Sequence, residues 1–279
     1  MWLTVGSTRY DVTHRAMVMG ILNRTPDSFY DRGRFFDLDA CWRRAERLVT
    51  DGADVLDVGG VKAGPGPEVG EDEELARVVP AIESLHARFD VPLSCDTWRA
   101  SVARAAYAAG AVVGNDISGF SDPGYLPAAS EAGASVVATH IRLAPRVADP
   151  EPYYDDVVAD VARFLAERAA QAQAAGIPRD RIMVDAGLDL GKTAQQSLRL
   201  LRETGALSAL GYPVLLSASH KPFLGALLGL DVEDRQQAST AAHAVGIIRG
   251  ARVLRVHDAR AARRVADVLA TVMADGEVS

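Results

Sequence analysis

Short apolar runs alternate with longer amphipathic segments from one end of the chain to the other. The runs AMVMGILN (16–23), ADVLDVGG (53–60), VPLSCDT (91–97), AVVGNDIS (111–118), ASVVATHIR (134–142), RIMVDAGL (181–188), PVLLSAS (213–219) and RVLRVHD (252–258) are nearly continuous in apolar character. That is the signature of strands buried on both faces of a parallel sheet. Between them lie Ala-, Leu-, Arg- and Glu-rich segments such as DLDACWRRAERLVTDG, RASVARAAYAAG and DVVADVARFLAERAAQAQAAG, each closing on a glycine suited to a helix C-cap. Such alternation predicts parallel strands joined by helical crossovers. Eight such units in 279 residues predict an α/β chain folded as a (β/α)8 TIM barrel, for which about 250 residues is usual. The N-terminal LTVGSTRYDVT alternates around Gly6-Ser7 and predicts a hairpin covering the barrel floor. The glycine- and proline-rich GGVKAGPGPEVG (59–70) is read as a long βα loop, and with no linker or low-complexity tract in view the chain is read as one domain over 1–279.

Composition narrows the possible functions. A hydrophobic fraction of 48% supports a full-sized core, and a net charge of -7 disfavours non-specific attraction to nucleic acid or anionic membrane. Cys41 and Cys95 are too few for a disulfide framework or a thiolate zinc site. The first residues lack a basic start before an apolar stretch, and no run approaches the ~20 apolar residues of a membrane helix. The expectation is a cytoplasmic protein acting on small molecules, with neither nucleic acid nor membrane as partner.

In such barrels the active site forms at the C-terminal ends of the strands. Here every apolar run ends in polar groups: Asn23, Asp57, Asp96, Asn115 with Asp116, His140, Asp185, Ser219 with Lys221, and Arg255 with His257 and Asp258. One polar strand end is readily a helix cap; eight of eight are harder to explain that way. The carboxylates of Asp96 and Asp185 with the amide of Asn115 can match the hydrogen-bonding edge of a flat heterocycle. Lys221 and Arg255 add cationic donors, and Asn23, Arg255 and His257 suit a phosphate or hydrated metal at the rim. Several other residues have blander readings. Lys192 follows Gly191 without Walker spacing, Cys95 is a small core residue, His86 and His243 are surface or interhelix residues, and Asp57 pairs with a cation in the barrel. His140 divides evenly between a core hydrogen-bonder and a rim ligand.

The motifs MGILNRTPDSFYD, LDVGG (56–60), CDT (95–97), GNDISG (114–119), DAGLDLGK (185–192), SHKPFLG (219–225) and RVHD (255–258) resemble, in order and over almost the whole chain, the dihydropteroate synthase family. The resemblance implies a (β/α)8 barrel that joins a pyrophosphorylated dihydropterin to p-aminobenzoate and releases pyrophosphate with the help of Mg2+. It implies a pterin pocket of Asp96, Asn115, Asp185 and Lys221 and a pyrophosphate end of Asn23, Arg255 and His257. It further places Mg2+ on Asn23, Ser219 and His220 on the acceptor side, and catalytic roles on Asp96, Lys221 and Arg255. Family members commonly pair as homodimers through the last helices, where RQQASTAAHAVGIIRG could pack.

The chain also leaves the family pattern. In the first loop Thr25 to Phe29 are kept, but Arg24, Tyr30 and Arg32 are large or charged additions. In the second, Val61, Lys62, Ala63 and Gly64 stand where the family has Glu, Ser, Thr and Arg, residues that order the loop and close the acceptor pocket. His220 replaces the arginine of a Ser-Arg-Lys motif and lacks a planar, permanently charged fork. Pterin and pyrophosphate groups are therefore kept while the acceptor side is rewritten. This implies a divergent paralogue, an alkyl-transfer enzyme impaired in its ordinary condensation. The alternatives are a working synthase in folate biosynthesis with Lys62 or Arg24 supplying the missing cation, a synthase taking another arylamine, and a folate methyl-transfer or non-catalytic pterin-binding barrel.

Overall fold

The computed structural model describes residues 1–24 and 38–274. Each of the eight predicted runs meets one strand, the last beginning one residue early: β3 (Met17–Asn23), β4 (Val55–Gly59), β5 (Leu93–Asp96), β6 (Val113–Asp116), β7 (Ser135–Thr139), β8 (Ile182–Asp185), β9 (Val214–Leu216) and β10 (Ala251–Val256), after an N-terminal pair β1 (Trp2–Val5) and β2 (Thr8–Asp11). The eight close into a parallel barrel in sequence order, with β10 pairing back onto β3 through Val253 opposite Met17 and Arg255 opposite Met19. The strands are somewhat shorter than the apolar runs, and Asn23, Asp96, Asp116 and Asp185 are the last residues of β3, β5, β6 and β8. Gly187, with φ of 62°, turns the chain out of β8 two residues after Asp185.

Helices fill the crossovers: α1 (Leu38–Thr50), α2 (Glu71–His86), α3 (Ala100–Ala108), α4 (Tyr125–Glu131), α5 (Val157–Ala174), α6 (Ala194–Arg202), α7 (Thr204–Ser208), α8 (Pro222–Leu228), α9 (Gln236–Ile248) and α10 (Ala259–Met273). The glycine signals at the ends of α1, α3 and α5 act as read. At Gly52 (φ 93°) the amide donates to Val49 O and the next amide, of Ala53, reaches back to Leu48 O, a Schellman closure that a residue with a Cβ adopts only under strain. Gly110 and Gly176 repeat the arrangement.

Side chains alternate along each strand, so every second residue points into the barrel. The lowest inward layer is apolar: Met17, Met19, Val55, Val113, Val137, Met183, Leu215 and Val253 pack with Leu3, Val5 and Val12 from the hairpin segment. The hairpin therefore plugs the floor, as its pattern predicts, tied by Thr4 Oγ1 donating to Asp180 (2.8 Å) and Ser135 Oγ donating to Thr4 O (2.6 Å). Two residues further along the same strands the inward position turns polar: Val55 gives way to Asp57, Val113 to Asn115, Met183 to Asp185 and Val253 to Arg255. The strand period itself thus delivers the candidate residues to one level of the barrel.

Candidate functional site

At that level one guanidinium organises the floor of a cavity. Arg255 donates Nε to Asp57 at 2.6 Å and Nη2 to Asp96 at 2.7 Å, and Asn115 Nδ2 donates to the same Asp57 oxygen at 3.1 Å. Asp57 is fully buried, so its pairing with a cation in the barrel is realised. Two carboxylates share one arginine, and the consequence falls on Asp96. Burial raises its pKa to about 7, Arg255 pulling it down and Asp57 pushing it up. Burial alone would lower the pKa of Arg255, but the two carboxylates outweigh it and hold the guanidinium charged. Asp185, buried at the end of β8, accepts the Gly187 amide at 2.8 Å; burial raises its pKa, opposed by that bond and by the charges of Lys221 and Arg255.

The cavity above has a volume of about 390 Å3 and is lined by Asn23, Val61, Lys62, Ala63, Gly64, Asp96, Asp189, Ser219, Lys221, Arg255 and His257 among others. Asp96 and Lys221 therefore face one hollow, Asn115 joins them through Asp57 and Arg255, and Asp185 lies within electrostatic reach of both cations. Lys221 donates to Leu188 O at 3.0 Å. Ser219 Oγ accepts the His257 amide at 3.1 Å and meets that ring's Nδ1 at 3.0 Å. Burial drives the His257 pKa well below its ordinary value, with neighbouring His220 and Arg255 adding to the effect, so the ring is neutral.

Other polar strand ends do structural work. Asp116 accepts the amides of Ser118 and Phe120, and Asp258 caps α10 by accepting Ala261 N. His140 is a core hydrogen-bonder: its Nδ1 meets Lys192 Nζ at 2.8 Å, its ring packs edge-on to Phe164, and burial with the lysine charge lowers its pKa to about 3. Lys192, far from cradling a phosphate, donates to Gly187 O at 2.9 Å and Leu190 O at 3.0 Å. Cys95 is buried and reduced; His243 is buried between helices.

His220, φ 54°, stands behind the lining, its ring edge-on to that of His257 at 5.4 Å: Nδ1 lies 3.0 Å from Val232 O and Nε2 3.0 Å from Gln236 Oε1. Arg24 is buried, its amide on Gly59 O and its Nε 3.3 Å from Arg77 O. Lys62 lines the cavity. The first-loop residues Thr25 to Phe29, Tyr30 and Arg32 lie outside the described residues.

Two site features escaped sequence reasoning. Asp189, also in the left-handed region at φ 65°, lines the cavity while its carboxylate accepts Ser197 Oγ (3.3 Å) and the Phe223 amide (3.2 Å), tying α6 to α8. Arg146, in the loop after β7, reaches across the mouth to the 59–70 loop, where its Nη1 donates to Lys62 O at 2.8 Å and its Nη2 to Pro67 O. A DxG step after a strand hints at the first; nothing local announces the second.

A floor-plugged barrel with carboxylates set by an arginine below a half-enclosed, cation-bearing hollow defines a small-molecule-binding (β/α)8 barrel. Residues 19–257 match the pterin binding enzyme family, and the chain belongs to it. It is 45% identical over 264 residues to a Mycobacterium leprae protein named inactive dihydropteroate synthase 2, covering 92% of this chain and 91% of the relative. To the dihydropteroate synthase of Bacillus subtilis it is 39% identical over 266 residues, covering 95% and 91%. Among solved structures it superposes on Yersinia pestis dihydropteroate synthase in a sulfonamide drug complex with a TM-score of 0.94 at 37% identity, covering 99% of this chain and 100% of that one. The Xanthomonas albilineans enzyme with 4-aminobenzoic acid gives 0.89 at 41% identity, covering 98% of each. Among the described residues no helix is long and apolar enough to cross a membrane.

Proposed function

We propose that the cavity binds 6-hydroxymethyl-7,8-dihydropterin pyrophosphate and that ordinary condensation with p-aminobenzoate is weak or absent. The observation that carries the first half is the Asp57–Arg255–Asp96 array, which presents the Asp96 carboxylate at the bottom of the hollow, with Asn115 donating to Asp57 behind the lining. An edge of ring N–H donors and ring-nitrogen acceptors satisfies it, with Asp185 and Lys221 as further partners. The pyrophosphate then lies toward Asn23 and His257, with the Arg255 guanidinium, held on the floor by Asp57 and Asp96, as its remaining cation. If the pyrophosphate leaves before an amine attacks, the positive charge that develops on the pterin methylene is stabilised by Asp96, and no side-chain nucleophile is needed.

Among the described residues no group of three or more His, Cys, Asp or Glu side chains could hold a metal. Mg2+ fits this chain in another way, as an ion bound chiefly by substrate phosphates with one protein oxygen, that of Asn23. When bound there it would offset the charge of the departing pyrophosphate.

The second half rests on the acceptor side. A Cβ at Gly64 would meet nothing within 4 Å, so no side chain fills that part of the wall, and His220 is committed to Val232 and Gln236. The relative named inactive supports the same reading. A second reading, a working synthase with a remodelled loop, is favoured by one observation, the presence of Lys62 in the lining.

Calorimetric titration with the pterin pyrophosphate, with and without Mg2+, tests the binding; an absence of heat in both arms sinks it. Turnover of p-aminobenzoate comparable with that of an authentic synthase overturns the claim of impairment. The chain further pairs with a second copy through α9 and α10, where Val245, Ile248, Val268 and Val272 are exposed; a monomer by light scattering refutes this pairing.

A further inference from the structure

The loop that diverges most from the family pattern carries a positive charge into the cavity. Lys62 is half-buried in the lining, and its ammonium has no hydrogen-bond or ion-pair partner among the described residues. The other charged groups around the hollow are engaged. Asp96 is held by Arg255, Asp189 by Ser197 and the Phe223 amide, and Lys221 donates to Leu188 O. Arg24 and His220, the remaining candidates for a replacement cation, point elsewhere: the first is buried against Arg77 O and the second faces Val232 and Gln236. A half-buried ammonium in the lining, paired with neither of the lining carboxylates because Asp96 is held by Arg255 and Asp189 by the Ser197 hydroxyl and the Phe223 amide, suits an anion from outside the chain.

The backbone of Lys62 is also fixed from a distance. Arg146, with φ of 67°, donates its own amide to Ala63 O at 3.2 Å, its Nη1 to Lys62 O at 2.8 Å and its Nη2 to Pro67 O. Three carbonyls of one loop are gathered by one residue of another, so the loop stands in place before any ligand arrives. Lys alone has a flexible stem and a point charge; the clamp supplies the missing preorganisation.

We propose that Lys62 receives an anionic group of the ligand on the loop side of the cavity, and that Arg146 is the residue that positions it. The inference rests on the pterin reading above and adds the group that this loop recognises. Two sources share the chemistry: the pyrophosphate of the pterin, and the carboxylate of an arylamine.

The test titrates the full chain with two matched pairs of ligands. One pair is the dihydropterin pyrophosphate and the corresponding hydroxymethyl alcohol. The other is p-aminobenzoate and its uncharged ethyl ester, each with pterin pyrophosphate present. Lys62→Met keeps the aliphatic stem and removes the charge. It is expected to weaken the anionic member of at least one pair by about ten- to a hundredfold, the range for loss of a charge-assisted hydrogen bond, and to leave the uncharged member unchanged. Loss confined to the pyrophosphate identifies a phosphate subsite, and loss confined to p-aminobenzoate identifies a carboxylate subsite; Lys62→Arg recovers most of either. Arg146→Ala is expected to reproduce the loss, and the double variant to bind no worse than either single one. Retained binding of the alcohol shows that each variant is folded. Lys62→Met with wild-type affinities throughout overturns the inference while leaving the pterin reading intact. Fully additive losses in the double variant overturn the positioning role. Wild-type protein that binds neither pterin overturns both readings.

Discussion

Replacing Arg255 with Met is the most severe single test of the site's construction. The stem volume is nearly kept, so little cavity forms; what disappears is the charge between Asp57 and Asp96, at 2.6 and 2.7 Å. Asp57 is fully buried and Asp96 nearly so, with 13% of its side chain exposed, so water cannot take over both. Removing one partner of a buried ion pair costs about 3–5 kcal/mol, because the remaining charge stays desolvated. At roughly 2–4 °C per kcal/mol for a domain approaching this size, melting falls by about 6–20 °C. The loss is smaller at pH 5 than at pH 8, since protonation relieves stranded carboxylates. Adding Asp57→Asn to Arg255→Met recovers part of the stability, because the stranded charge is then gone. Urea unfolding followed by circular dichroism, at both pH values, reads all three results. A loss below about 1 kcal/mol at pH 8, within the range of an exposed ion pair, would refute the claim that this array is a desolvated, mutually dependent unit.

Three further outcomes follow from the geometry. The Asp96 carboxyl titrates near 7 in the folded chain, above its unfolded value of about 3.9, so its ionisation opposes folding. Stability therefore falls as pH rises between about 4 and 7, while pterin affinity, which needs the ionised form as acceptor, rises through about pH 7; Asp96→Asn flattens both profiles, and unchanged slopes count against the assignment. Gly187→Ala places a Cβ 1.9 Å from His140 O at a residue with φ of 62°, and is expected to cost more than about 2 kcal/mol or prevent folding; a wild-type melting curve refutes this. Lys192→Met strips a donor from Gly187 O, Leu190 O and His140 Nδ1, and should lower stability by about 2–4 kcal/mol. A neutral effect in urea titration would show that water reaches those acceptors.

What the sequence discloses here is what repeats locally. Strand periodicity reports its own inward face, so the step from Val253 to Arg255 or Val113 to Asn115 is readable without coordinates, as are the glycines that close α1, α3 and α5. Helix caps are equally local, and Asp258 fits that blander reading. Long-range partnerships are not written in any window. Arg255 finds Asp57 across 198 positions, and Arg146 finds Lys62 across 84. Side-chain direction at a turn is no more visible. His220 follows Ser219 on the predicted acceptor side, yet its left-handed backbone swings the ring toward α9. Lys192 follows a glycine without the spacing of a phosphate loop, and its neighbours show where the amine is spent: it donates to the Gly187 and Leu190 carbonyls of its own loop.

The hairpin packed beneath the barrel gives this molecule a dead end. With Leu3, Val5 and Val12 wedged under the lowest ring of side chains, the described residues close the lower end, and a molecule lodged deepest would have to arrive first and depart last. A guest seated on Asp96 would wait behind any later arrival, and the strap from Arg146 to the 59–70 loop stands on the open side. Any such order of entry would be a property of the vessel, set by a stopper at the end far from the polar level.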